Sequence, residues 1–251
     1  MKKVLHPLFA ALLLLAGCAT GPKFYSEDYL ASISERQFSQ LKQELPRADD
    51  PEAVAMVERV SRRIAEAASE DMPDADWEFV LFQQESANAF AMPGGKIGVF
   101  TGLLELVESD AELAAVIGHE IAHVELEHAN QRMSAETLRA LGGVGAAVLT
   151  KDMKEDERNK ILLAYGIGTQ VGVILPYSRY HESEADRLGL LISARAGYDP
   201  HAALSFWEKM QEAGGKKPPE FLSTHPSYRT RMETLRETLP EAMELYRSYH
   251  R

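Results

Sequence analysis

The 251-residue sequence has a single cysteine, Cys18, so no intramolecular disulfide framework can hold it together. Aromatic residues make up 8%, with two tryptophans. No apolar run reaches the roughly 20 residues that cross a bilayer as a helix, which excludes a polytopic membrane protein. Positive charge is also short: 27 Lys and Arg face 38 Asp and Glu, a formal net charge of -11. A phosphate backbone needs a basic surface, so no nucleic-acid partner is expected. What is present is ordinary, 45% hydrophobic and 26% charged. That composition excludes a disordered or collagen-like chain and suffices to bury a core as one domain, with or without helical appendages.

The N-terminus reads as an address. Lys2 and Lys3 precede an unbroken apolar stretch, Leu8 to Ala16, and then Gly17 and Cys18. A basic start, a short apolar core and small residues before a cleavage point describe a secretory signal, residues 1–17. Leu15-Ala16-Gly17-Cys18 resembles the lipobox of bacterial lipoproteins, in which the cysteine becomes the acylated N-terminus. That resemblance implies a lipid anchor on Cys18. With Ala at position 19, it implies the periplasmic face of the outer membrane. Residues 18–26 then form a tether and 27–251 the folded domain.

Along that domain, Glu27 to Leu45 and Pro51 to Ser69 have apolar residues at helical spacing, the second with Asp50 as cap and Pro51 at its first position. Trp77 to Phe82, Phe90 to Met92 and Lys96 to Phe100 read as strands, the last two flanking the turn signal Pro93-Gly94-Gly95. From Ser109 onward the pattern is helical. Ser109 and Glu112 form a capping box, and the spacing predicts a helix from Asp110 to Met133. Leu138–Leu149 and Ile161–Leu175 are apolar but too short to span a membrane; they suit core, a membrane-facing surface or a lid. Helices are predicted over Arg179–Ala196, after Asp199-Pro200, and over Arg229–Thr238 and Glu241–Ser248. The fold class is α+β, helix-dominated, with a small sheet.

The chemistry concentrates on two of these helices. His119-Glu120-Ile121-Ala122-His123 is H-E-x-x-H, which sets two imidazoles one turn apart on one face, able to reach a single metal ion. Glu120, one residue along, is placed to act on a water as general base. The positions that would continue a metzincin motif are Leu126 and Ala129, so that class is excluded. His128, nine residues after His119, falls about 180° round a continuous helix and reads as a solvated residue facing away. A third ligand is sought downstream in Glu182-Ser183-Glu184-Ala185-Asp186. Glu182 and Asp186 share a helical face: Glu182 would ligate, Asp186 would accept a hydrogen bond from a ligand imidazole, and Glu184 would point elsewhere.

H-E-x-x-H followed about sixty residues later by E-x-x-A-D resembles peptidase family M forty-eight, which includes the CaaX prenyl endopeptidases, HtpX and BepA-like proteases. Asn88 to Gly95, Thr101-Gly102-Leu103-Leu104, and Thr224-His225-Pro226-Ser227 with Arg231 are similar to its other motifs, in the same order. The resemblance implies a zincin-like metalloprotease fold with one Zn²⁺ per chain. It places His225 on the metal side of the cleft, either donating to an oxyanion or blocking the site as a fourth ligand. Arg231 would pair with Asp186 or with substrate carbonyls. Gly95, Lys96, Ile97, Gly98 and Val99 would form an edge strand onto which an extended polypeptide adds. The expectation is a member without the C-terminal repeat domain of BepA-like proteases. The resulting expectation is a periplasmic, lipid-anchored zinc endopeptidase acting on misfolded or stalled envelope proteins. The alternative is a chaperone or assembly factor with a gated, weakly proteolytic zinc site. Glu120 beside an open ligand position favours the enzyme.

Overall fold

The structure, a computed structural model, describes residues 21–213, 221, 225 and 228–251. The signal segment, Cys18, and the Thr224, Pro226 and Ser227 positions of the H-P motif lie outside the described residues. Two compact units are present, Glu27–His128 with His181–Arg251, and residues up to Ser26 with Ala129–Tyr180.

The larger unit opens with α1 (Glu27–Glu44) and α2 (Pro51–Ala68). Asp50 caps α2 as its sequence demands, its carboxylate accepting from the amides of Glu52 and Ala53. Three strands follow, β1 (Glu78–Phe82), β2 (Ala89–Met92) and β3 (Lys96–Phe100). Gly94 and Gly95, at φ 85° and 87°, make the turn that folds β3 back along β2. The sheet order is β1-β3-β2, with β1 parallel and β2 antiparallel to β3.

That order corrects the expected edge strand. Gly95 is the turn, and Lys96, Ile97, Gly98 and Val99 belong to the central strand, hydrogen-bonded on both sides. Their burial gives the physical reason, since Ile97 and Val99 have no exposed surface. The Lys96 ammonium is likewise turned inward, donating to the Asp76 carbonyl at 2.7 Å and to its carboxylate at 2.8 Å. On the far side of β1, Arg47 forms a bridge with Phe82. Among the described residues, the edge without a strand partner is that of β2.

After the short α3 (Thr101–Leu104) comes α4 (Asp110–Glu125), buried on nearly every side and packed against α2, β2 and a later helix. The capping box forms with a shift: Ser109 Oγ accepts from the Glu112 amide, while the Glu112 carboxylate reaches back to the amide of Glu108. The helix does not run to Met133. Leu126 closes it, Glu127 takes a left-handed φ of 54°, and α5 (His128–Leu149) is a separate helix. Nothing in Glu125-Leu126-Glu127 announces this break, because none of the three is a helix breaker.

Beyond α6 (Glu155–Thr169) and a π-turn at Gln170–Ile174, α7 (Leu175–Arg195) carries the second motif, and α8 (His201–Ala213) packs against α4. The chain closes with α9 (Tyr228–Tyr249), one helix where two are predicted, Pro240 lying within it. In the smaller unit, the Tyr165 hydroxyl donates to the Arg139 carbonyl, joining α6 to α5. Leu141, Val144 and Val148 on α5, and Leu163 and Ile167 on α6 followed by Val171, recur at helical spacing with their side chains exposed. No helix among the described residues is long and apolar enough to cross a membrane.

Candidate metal centre

All the site residues described here belong to the larger unit. α4 presents His119 and His123 on one face, with their Nε2 atoms 3.1 Å apart. α7 brings in Glu182, whose Oε2 lies 3.4 Å from His119 Nε2 and whose Oε1 lies 3.5 Å from His123 Nε2. His225 adds Nδ1 at 3.2 Å from His119 Nε2 and 3.0 Å from Glu182 Oε2. These four side chains form one cluster of converging donor atoms.

The spacings test whether a metal fits. Ligand atoms about 2.0–2.1 Å from a tetrahedral zinc lie roughly 3.3 Å from one another. The five separations above, 3.0 to 3.5 Å, bracket that edge length. Two imidazoles, a carboxylate and a third imidazole are also a donor set that zinc favours. Glu120 Oε1 is buried without a hydrogen-bond partner and lies 3.4 Å from His225 Nε2. An acceptor left bare in this way costs stability unless something fills the space before it. The residues therefore fit a metal ion held beside Glu120.

A buried layer supports the ligands from behind. His119 Nδ1 lies 3.1 Å from Asp186 Oδ1. Arg231, 1% exposed, donates through Nε and Nη2 to Asp186 and places Nη1 3.2 Å from Glu182 Oε2. Its guanidinium carbon lies over the indole of Trp207, 3.5 Å from the ring centroid. Of the two partners expected for Arg231, the side chain contacts Asp186. Burial and the nearby Arg231 charge push the His119 imidazole down, but Asp186 and Glu182 outweigh them and raise its pKa. His123 is held well below the usual histidine value by burial and by its neighbour His119. Burial pushes Glu182 up, yet hydrogen bonds from His119 and His225 carry it far below the carboxylate range. One imidazole is thus kept neutral and the facing carboxylate ionised, the states in which both bind metal.

His128 corrects the sequence reading. It is 4% exposed, not solvated, and its Nδ1 lies 2.8 Å from His123 Nδ1. The 180° estimate assumed a continuous helix, and the left-handed turn at Glu127 swings the ring back. Glu184 stands outside the donor cluster, with its Oε2 3.4 Å from His128 Nε2. Trp207 and Phe221, stacked on one another and ringing His119, carried no spacing signal that could have found them.

Fold and site together define a metallopeptidase of the H-E-x-x-H type. Residues 51–239 match the model of Peptidase family M48, and the chain belongs to that family. The chain is 38% identical over 191 residues to the mitochondrial metalloendopeptidase OMA1 of Schizosaccharomyces pombe, covering 74% of this chain and 53% of that one. It is 36% identical over 178 residues to the mitochondrial metalloendopeptidase OMA1 of Homo sapiens, covering 68% and 34%. Against the beta-barrel assembly-enhancing protease of Escherichia coli it is 29% identical over 204 residues, covering 78% and 41%. The chain thus spans about half the length, or less, of these curated relatives.

Proposed function

We propose that the protein is a zinc-dependent endopeptidase, with His119, His123 and Glu182 as ligands and Glu120 as general base. The observation that carries this reading is the buried Glu120 Oε1, without a hydrogen-bond partner, beside a tetrahedrally spaced donor set. Zinc in such a set supplies Lewis acidity, polarising a carbonyl and making water a nucleophile at neutral pH. Glu120 takes the proton of the attacking water and returns it to the leaving amine as the peptide bond breaks. Asp186 holds His119 in the tautomer that leaves Nε2 free for the metal, and Arg231 holds Asp186.

The substrate is an unfolded or misfolded polypeptide that lies along the free edge of β2. Phe100 donates to the Asn88 carbonyl across the hairpin. The alternation of an antiparallel ladder then turns the amide and carbonyl of Ala91 outward. Strand addition there reads backbone rather than side chains, which suits broad specificity. Outer-membrane anchoring through Cys18 and a domain over 27–251 remain the reading of the N-terminal sequence. The Escherichia coli relative is named for enhancing beta-barrel assembly, and envelope proteins are the substrates we assign here on the reading of the N-terminal sequence.

The test is cleavage of an unfolded protein by the zinc-loaded full chain beside Glu120→Gln, both checked for bound zinc. Cleavage by the parent alone, with equal zinc in both, is the expected result. Equal cleavage by the two removes Glu120 from the reaction.

A further inference from the structure

We propose that His128 is a positioning residue for His123, accepting a hydrogen bond from its Nδ1 and relaying that ring to the carboxylate of Glu184. The proposal rests on the metal reading above and goes beyond its ligand set.

The tautomers follow from the geometry. His123 and His128 approach Nδ1 to Nδ1 at 2.8 Å, so a single proton lies between them. His123 turns Nε2 to His119 and Glu182. A ring that offers Nε2 as a lone pair to a metal must carry its proton on Nδ1. His128 Nδ1 is then the acceptor, and the His128 proton sits on Nε2. That nitrogen lies 3.4 Å from Glu184 Oε2, a long hydrogen bond to a carboxylate. With Nε2 of His123 on the metal, His123 gives to His128, and His128 gives to Glu184.

The ring is also held in place. His181 stacks on His128 with centroids 4.0 Å apart and planes 17° apart, and both are buried. The two imidazoles of H-E-x-x-H therefore reach carboxylates by different routes. His119 meets Asp186 directly, whereas His123 reaches Glu184 through a second ring that follows the break at Glu127.

A relay and a space-filling role make opposite predictions for two substitutions. His128→Phe keeps an aromatic ring for His181 to stack on and removes the acceptor. His128→Gln removes the ring and keeps an acceptor and a donor in one side chain. The measurement is zinc affinity of the full chain by competition with a chelator, with the visible spectrum of the cobalt-loaded protein as a second readout. The relay predicts that His128→Phe loses about 10–100-fold in affinity and alters the cobalt spectrum, while His128→Gln stays within a few-fold of the parent. Glu184→Ala, at a half-buried position, should fold whatever happens to the His128 variants and should lose several-fold. Parental affinity in both His128→Phe and Glu184→Ala overturns the proposal. So does the reversed order, with Phe tolerated and Gln not. Those results leave the peptidase reading standing if Glu120→Gln still abolishes cleavage. A parent that binds no zinc defeats both.

Discussion

Gly118 and Gly189 face each other where α4 crosses α7. A Cβ on Gly189 would lie 2.6 Å from the backbone nitrogen of His119, and one on Gly118 would lie 2.7 Å from the carbonyl oxygen of Gly189. The helix bearing His119 and His123 thus touches the helix bearing Glu182 and Asp186 through backbone. The obstructing atoms are main chain and cannot rotate away, so Gly189→Ala must push the two motifs apart. Overpacking of this kind costs about 1–3 kcal/mol, and displacing ligands by about 1 Å costs on the order of 100-fold in rate. Urea unfolding and cleavage assays on Gly189→Ala should show both losses. A variant with the parent's midpoint and rate would mean that the helices are not held at this separation.

His225 contributes the fourth donor of the cluster and lies 3.4 Å from Glu120. Catalytic zinc sites have three protein ligands and keep one position open, so a bound His225 would close the site at rest. His225→Ala should retain zinc through His119, His123 and Glu182 and cleave an unfolded protein several-fold faster than the parent. A loss of rate with zinc retained would instead assign His225 the role of an oxyanion donor. Steady-state cleavage on matched, zinc-assayed samples separates the two.

Ala91 tests the substrate edge. Its amide faces away from β3 by the alternation of the hairpin, so Ala91→Pro removes a donor from the free edge and none from the ladder. Cleavage of unfolded protein should fall through KM more than through kcat. An unchanged KM would place the substrate elsewhere.

Most of the candidate site was readable because its spacing is local. His119, Glu120 and His123 sit within one helical turn, and Glu182 with Asp186 within another, so the 3.6-residue period alone puts each set on a face. The capping residues Asp50 and Ser109 were readable for the same reason, since caps are short-range. What failed was long-range or depended on a break. Strand order rests on β1 entering beside β3, and no feature of Lys96 to Val99 shows that both of its edges are paired. His128 was misplaced because one left-handed residue, Glu127, ends a helix without glycine or proline. Trp207 and Phe221 gather round His119 only through the packing of distant segments.

Asp186 and Arg231 form a pair in which each side chain is about 1% exposed. Burial raises the Asp186 carboxyl, but Arg231 first and then His119 outweigh it and hold the group below its ordinary value. A carboxylate lowered in the folded state contributes stability that is fully present above its unfolded value of about 3.9. That contribution is lost as pH falls through the folded value. Asp186→Asn leaves Arg231 buried with Glu182 as its remaining carboxylate partner, and breaking a buried pair costs about 3–5 kcal/mol. The zinc-free variant should therefore unfold at lower urea than the zinc-free parent at neutral pH. The gap should narrow as pH drops below about 3.9, because the parent loses the same interaction by protonation. A gap that stays constant through the acid limb would mean that the loss comes from the amide NH2 set against the Arg231 donors, not from the charge of the carboxylate.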